Sequence, residues 1–231
     1  MKTSRNTLEF KYLFLLITIM LAALSSCKKD NDDQTNGQAS IMVTNSAEGS
    51  AAQDLMLDNA TVSGSTVAYA HSSDYLNVKS GNHQAKFVNS GSTTANANAN
   101  FNVSFQPGQH YSIYYTGDAS TPSSSYVVTQ DDLSAPASGK AKVRFVHLSS
   151  AAASTIDLGI ATGNKIITGL AYRAASAYYT VDANTTFLLY TSGSTTASLS
   201  IPTTVQAGKI YTVYVSGATS ATITYHVVVQ N

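Results

Sequence analysis

Apolar positions along the chain follow two regimes. Residues 12–24 (YLFLLITIMLAAL) form one unbroken run, while beyond residue 38 apolar residues come in short bursts separated by Gly, Ser, Asn and Pro. Nothing after the first run sustains a 3.6-residue period, so helices are not expected there. Extended segments are predicted instead at 40–45, 54–58, 67–70, 75–78, 84–89, 101–106, 110–116 and 126–130. The clearest is the run in which Tyr111, Ile113 and Tyr115 alternate with His110, Ser112 and Tyr114, because successive strand side chains point to opposite faces. Seven or eight strands in about a hundred residues is the density of a β-sandwich.

The pattern then repeats. The hexapeptide SGSTTA occurs at 90–95 and at 192–197, and laying the chain on itself aligns much more. Residues 39–43 face 141–145, 67–69 face 170–172, and 74–78 face 177–181. Gln106 to Gly117 faces Gln206 to Gly217. The offset drifts only between 100 and 103, as duplication with small loop insertions would leave it. A period this long is no solenoid unit, so each copy is expected to be a domain with its own core. The Ser/Gly/Thr composition of the hexapeptide fits a turn between strands.

Gly108-x-x-Tyr111-x-Ile113 and Gly208-x-x-Tyr211-x-Val213 resemble the late-strand corner of immunoglobulin and fibronectin type III sandwiches. There a Tyr hydroxyl reaches back to the backbone of the preceding turn. The alternative is that both are ordinary strand aromatics. The resemblance implies an all-β chain of two tandem immunoglobulin/fibronectin-III-like β-sandwich domains.

The first apolar run has a different use. Lys2, Arg5 and Lys11 precede it, and its thirteen residues suit an export signal but fall short of the roughly 20 that span a bilayer. It ends in Leu24-Ser25-Ser26-Cys27, which resembles the lipobox of bacterial lipoproteins, whose Cys carries a diacylglycerol. Cys27 is the only cysteine, and an unpaired Cys in an exported protein calls for such an explanation. An ordinary cleaved signal ending near a Cys is the alternative. Residues 28–38 (KKDNDDQTNGQ) hold nothing to bury and are read as a tether reaching at most roughly 35–40 Å. Its Lys-then-acidic start looks like the surface-export signal of Bacteroidetes lipoproteins. The expected organisation is a signal peptide at 1–26, lipidated Cys27 and tether at 27–38, and domains at 39–132 and 140–231. The Pro/Gly/Ser stretch Leu133 to Gly139 would form the boundary between them.

Composition narrows the partners. Charged residues are only 11% of the chain, against roughly 25% in typical soluble domains. Past residue 26, ten Lys/Arg stand against twelve Asp/Glu. That balance offers phosphate backbones no basic footprint, so nucleic acid is not an expected partner.

The segments Lys142 to Ser149, Leu170-Ala171-Tyr172, Tyr178-x-x-Val181 and Ala207-Gly208-x-x-Tyr211-Thr212-Val213 are similar to the bacterial domain of unknown function 4397 family, common in exported lipoproteins of Bacteroidetes. The likeness spans nearly the whole second copy and the first more loosely. The first copy has Thr44-Asn45 where the pattern has Val-His, and Asn184 stands where the first copy has Gly81. The resemblance implies a β-sandwich envelope protein and carries over no catalytic residue.

Chemistry-bearing residues are sparse. None of His71, His83, His110, His147 and His226 recurs in the other copy or sits at metal-ligand spacing with a second His. His147 keeps phase with Val143 and Phe145 and is read as a core residue; His226 is read as a surface one. Asp32-Asp33 and Asp131-Asp132 fall in apparent linkers, and Asp54 with Asp58 lacks the dense oxygen spacing of a calcium loop. No nucleophile elbow, zinc-protease or phosphate-loop motif occurs. No catalytic residue, metal site or cofactor is expected. Tyr114 and Tyr214 occupy equivalent positions opposite Tyr111 and Tyr211 and are the candidate ligand contacts, since a rigid ring with a polar tip suits a sugar or a protein surface. Cross-strand packing is the other explanation. The expected protein is a non-enzymatic lipid-anchored envelope module, a spacer, adhesion or protein-interaction sandwich in the outer membrane, facing outward. The alternative is a glycan-binding accessory lipoprotein of a nutrient-uptake system.

Overall fold

Gly, Ser and Asn punctuation breaks the chain into strands wherever the structure can be described. The computed structural model describes residues 37–92, 97–117, 125–152 and 154–231. Cys27, the run before it and most of the tether lie outside these residues.

The first half contains β1 (Gln38–Asn45), β2 (Gln53–Leu57), β3 (Ala60–Thr61), β4 (Leu76–Lys79), β5 (Gly81–Asn89), β6 (Ala99–Phe105), β7 (His110–Tyr115) and β8 (Tyr126–Asp131). The second contains β9 (Lys140–His147), β10 (Ile156–Ile160), β11 (Lys165–Leu170), β12 (Ala174–Ala175), β13 (Tyr179–Asp182), β14 (Thr186–Thr191), β15 (Leu199–Pro202), β16 (Ile210–Ser216) and β17 (Thr224–Val229). Each half is a two-sheet sandwich. In the first, sheet β4-β1-β7-β8 faces sheet β3-β2-β5-β6. In the second, β12-β9-β16-β17, with β13 also on β9, faces β11-β10-β14-β15.

The duplication is visible in the backbone. β1 runs parallel to β7 with Ile41 opposite Tyr111, and β9 runs parallel to β16 with Val143 opposite Tyr211. Ser73 N–H donates to the Val43 carbonyl and Ser176 N–H to that of Phe145, both at 2.8 Å. In return each serine hydroxyl accepts the N–H of the same residue, Val43 at 2.9 Å and Phe145 at 3.0 Å. Ala70 and Arg173 both take a left-handed conformation, at φ 67° and 61°, which few non-Gly residues adopt. That turn is why the expected strand at 67–70 is replaced by isolated bridges from Val67 to Gln53 and from Tyr69 to Asn45.

The connectivity corrects the immunoglobulin/fibronectin-III expectation. In the immunoglobulin arrangement the first, second, fourth and fifth strands share a sheet; here the first, fourth, seventh and eighth do. The cause is β1, which lies between β4 and β7 in the middle of its sheet rather than beside β2.

Each half has its own apolar core. Ile41, Leu55, Phe87, Phe105 and Ile113 are among the fully buried residues of the first, and Phe145, Leu158, Phe187, Ile201 and Val213 among those of the second. Phe101 stacks on Tyr126 with centroids 3.8 Å apart in the first core. A third cluster, Tyr114, Val127, Val146, Leu148 and Tyr214, belongs to neither sandwich alone. It lies between the sheets containing β7 and β9, so these two inner sheets are covered on both faces. All seven residues of β16 and seven of the eight in β9 are buried, the signature of a strand enclosed on both sides. The residues from Gln34 to Asn231 accordingly form one compact unit.

Candidate functional site

The residue types with chemical potential gather where the inner sheets meet, the seam. Strand alternation puts Ser112 and Tyr114 of β7, and Thr212 and Tyr214 of β16, on the faces turned away from their own cores. In most sandwiches such faces meet water. Here they meet each other, and Tyr114 and Tyr214 pack edge to face with centroids 6.1 Å apart.

Equivalent side chains form equivalent triads. In the first half Tyr75 Oη and Ser112 Oγ donate to Asp131 Oδ2 at 2.6 and 2.7 Å. In the second, Tyr178 Oη and Thr212 Oγ1 donate to Gln230 Oε1 at 2.7 and 3.0 Å. The two are linked by Gln230 Nε2, which donates to Tyr75 Oη at 3.2 Å and to Ser112 Oγ at 3.4 Å. They are linked again by Arg144. Its Nη2 lies 2.7 Å from Asp131 Oδ1 and donates to Thr212 Oγ1 at 3.0 Å, while Nη1 donates to the Gln130 carbonyl at 3.1 Å. The guanidinium also lies over the Tyr178 ring, 4.8 Å from its centroid.

Both charges are out of water: the side chains of Arg144 and Asp131 are 2% and 0% exposed. Burial works against the guanidinium charge. The field of Tyr114, Asp131 and Tyr178 and the hydrogen bond to Asp131 outweigh it and push the Arg144 pKa further up. Burial, followed by the Asp131 carboxylate, pushes the Tyr75 phenol up, and burial does the same to Tyr114, Tyr178 and Tyr214. The Tyr75, Tyr114 and Tyr178 hydroxyls therefore act as neutral hydrogen-bonding groups, while Tyr214 Oη is buried without a hydrogen-bond partner among the described residues. At the seam's rim, Lys142 pairs with Asp132 at 2.7 Å and donates to the Ser134 carbonyl at 2.9 Å. The Lys142 hydrogen bond, with help from Ser134, holds the Asp132 carboxyl down to about 2. An open cleft of about 560 Å³ adjoins this rim, lined by Gln109, His110, Gln130, Asp131, Asp132, Leu133 and Ser134. At another edge Glu48 accepts from the Ala218 N–H and the Thr222 hydroxyl, each at 2.7 Å.

Several sequence-based placements change. Tyr114 and Tyr214 are 1% and 0% exposed; they line the seam and present no ring to solvent. His226 is half-buried rather than freely exposed, because Tyr214 stacks on it with centroids 4.6 Å apart and Ser216 Oγ lies 2.9 Å from its Nε2. Burial, then the nearby His71, lowers its pKa. Asp131 belongs to β8 and the seam, not to the linker. His147 is a core residue as read, with Nε2 donating to the Ala152 carbonyl at 2.8 Å and its pKa lowered by burial. Asp54 and Asp58 serve separate turns: Asp54 accepts from Thr66 at 2.6 Å, and Asp58 accepts from the Gln84 N–H at 2.9 Å and contacts His83 Nδ1 at 2.6 Å.

The corner tyrosines behave as the resemblance implied. Tyr111 Oη accepts the Gln106 N–H at 2.9 Å and Tyr211 Oη accepts that of Gln206 at 3.0 Å. The repeated hexapeptide opens a turn in both halves, with Gly91 and Gly193 at φ 78° and 82°. Their N–H groups donate to the equivalent carboxylates Asp54 and Asp157, both at 3.3 Å. Residues 93–95 of the first copy lie outside the described residues.

Sequence reasoning missed Arg144, Asp131, Gln230, Tyr75 and Tyr178 as a group. The available signal was the self-alignment, which sets Met42 against Arg144 and Ser112 against Thr212, at strand positions facing away from the core, and Tyr75 against Tyr178, each just before a strand.

Among known families, the model of a domain of unknown function (DUF4397) matches residues 39–159, more than half of the chain. The match covers the first half, the linker, β9 and most of β10, whereas the resemblance in the sequence was placed mainly in the second copy. No curated protein matches. Among solved structures, the crystal structure of CBMbc (family CBM26) from Eubacterium rectale Amy13K in complex with maltoheptaose is 14% identical with a TM-score of 0.28. That alignment covers 82% of this chain and 96% of that one. The Bacillus anthracis TIE protein is 8% identical with a TM-score of 0.24, covering 78% of this chain and 34% of that one. This chain thus spans about a third of the TIE protein's length.

Proposed function

The chain belongs to the DUF4397 family, whose function is unassigned, and we propose that it is a non-enzymatic, lipid-anchored envelope protein whose two sandwiches form one stiff spacer. The seam is the observation that carries this reading. A buried ion pair, two hydrogen-bonded triads and an apolar cluster hold the halves together, where a flexible string of domains would leave their faces in water. Arg144, Asp131, Tyr75 and Tyr178 are all engaged in that joint. The outer surface also offers little for a large adhesive contact: among the described residues the large apolar side chains left exposed are Val227 and Val229, on edge strand β17.

The proposed anchor is Cys27, through which acyl chains would hold the protein in the outer membrane with the tether lifting the spacer clear. A single chain binds a bilayer only marginally, and two or more make the attachment stable. Fractionation of Cys27→Ser against the parent protein tests the anchor: release into the soluble fraction is expected, and unchanged membrane retention refutes lipidation. The soluble 28–231 fragment, incubated with envelope extracts and with soluble glycans, tests the spacer reading. Neither should be retained at saturable stoichiometry. Saturable protein capture abolished by Val229→Asp would make the protein an interaction module acting through β17, and saturable glycan capture would make it a binding protein.

A further inference from the structure

The seam has the form of a symmetric dimer interface inside one chain. In a two-fold interface each residue meets its own equivalent or the partner of its equivalent. Tyr114 meets Tyr214, and the triad of Tyr75, Ser112 and Asp131 meets that of Tyr178, Thr212 and Gln230. The charges depart from the symmetry. The first half contributes the carboxylate, where the second has Gln230, and the second contributes the cation, where the first has Met42.

We propose that the seam is a pairing surface and that Asp131 and Arg144 make it accept an unlike half and reject a like one. Two first halves brought together would bury two Asp131 carboxylates with Met42 opposite and no cation. Two second halves would bury two Arg144 guanidinium groups with only Gln230 opposite. A buried charge left without its partner is heavily penalised, whereas the matched pair roughly offsets its own desolvation. The tyrosine pair would serve either combination; the Arg144–Asp131 pair, joined at the rim by the Lys142–Asp132 pair, tells them apart by charge. The partner this surface fits is therefore a sandwich of the same family with opposite charge at the seam, supplied within this chain by its own second copy. Discrimination by repulsion against the wrong partner is a general device of specific interfaces.

The test keeps the folded protein intact until the halves are in place. The 28–231 fragment, which holds every described residue, is made with a protease site inserted after Ala135 in the linker and is cut only after purification. Labelled and unlabelled preparations are mixed and warmed until isotope exchange between pairs is complete, then weighed by native mass spectrometry. Unlike pairs should outnumber like pairs by on the order of a hundredfold or more. The same measurement on D131Q/R144M, which gives each half the residue its counterpart has, should bring like pairs up towards a random one-to-two-to-one distribution. Halves of the unmutated protein that separate into monomers, or that form like pairs as readily as unlike ones, overturn the proposal. So does a folded double variant that retains the exclusivity of the parent. The unmutated protein decides the matter alone if the variant does not fold.

Discussion

The two halves share a fold yet differ most where they touch. What both retain is each sandwich's internal satisfaction of backbone groups: the corner tyrosines Tyr111 and Tyr211, the serines Ser73 and Ser176, and the carboxylates Asp54 and Asp157 that receive the hexapeptide turn. What differs sits on the faces turned to the seam: Met42 against Arg144, Asp131 against Gln230 and Val127 against His226. An unsatisfied buried N–H costs the same in either copy, so its solutions persist. A face that must bind something other than itself gains from becoming unlike its twin.

The largest break in that comparison should come from the ion pair. Arg144→Ala strands Asp131 in the seam and should cost about 3–5 kcal/mol in urea unfolding. The double variant D131Q/R144M, which leaves no buried charge, should cost less than either single change to Ala. Additive losses would mean that the two charges do not act as a pair.

A smaller effect should be equal in the two halves. Tyr111→Phe and Tyr211→Phe each remove the acceptor of one part-buried backbone N–H and should each cost about 0.5–1.5 kcal/mol. A loss confined to one of them would show that the corners are not equivalent.

The smallest effect separates the halves by pH. Burial lowers the pKa of His147 and His226, and the first half has Asn45 and Val127 in their places. Above about pH 6.5 both rings are neutral whether the chain is folded or not. Below it the unfolded chain takes up protons that the folded one resists, so stability falls as pH drops from 7 towards 5. In H147N/H226V, unfolding measured across that range should show a flatter dependence, and an unchanged slope would assign it to other groups.

Most of the strands, the duplication and the corner tyrosines were legible in the sequence because each rests on local alternation, on self-similarity or on a motif a few residues long. The connectivity was not, since nothing local tells β1 to insert between β4 and β7. The seam was hidden for a related reason. Polar residues alternating with core residues, as in Lys142-Val143-Arg144-Phe145, describe a solvent face equally well as a face buried against another sheet. Tyr114 and Tyr214 drew attention through their equivalence, which was sound, but the surface they line is covered by the other half.

The spacer account rests on the halves holding one fixed arrangement. Spin labels at Asn102 and Ser200, exposed positions on the two outer strands β6 and β15, would report it through their dipolar coupling in the 28–231 fragment. A single narrow distance distribution is predicted, broadening in Arg144→Ala. A broad distribution in the unmutated protein would mean two sandwiches moving independently on a linker, and would contradict the account.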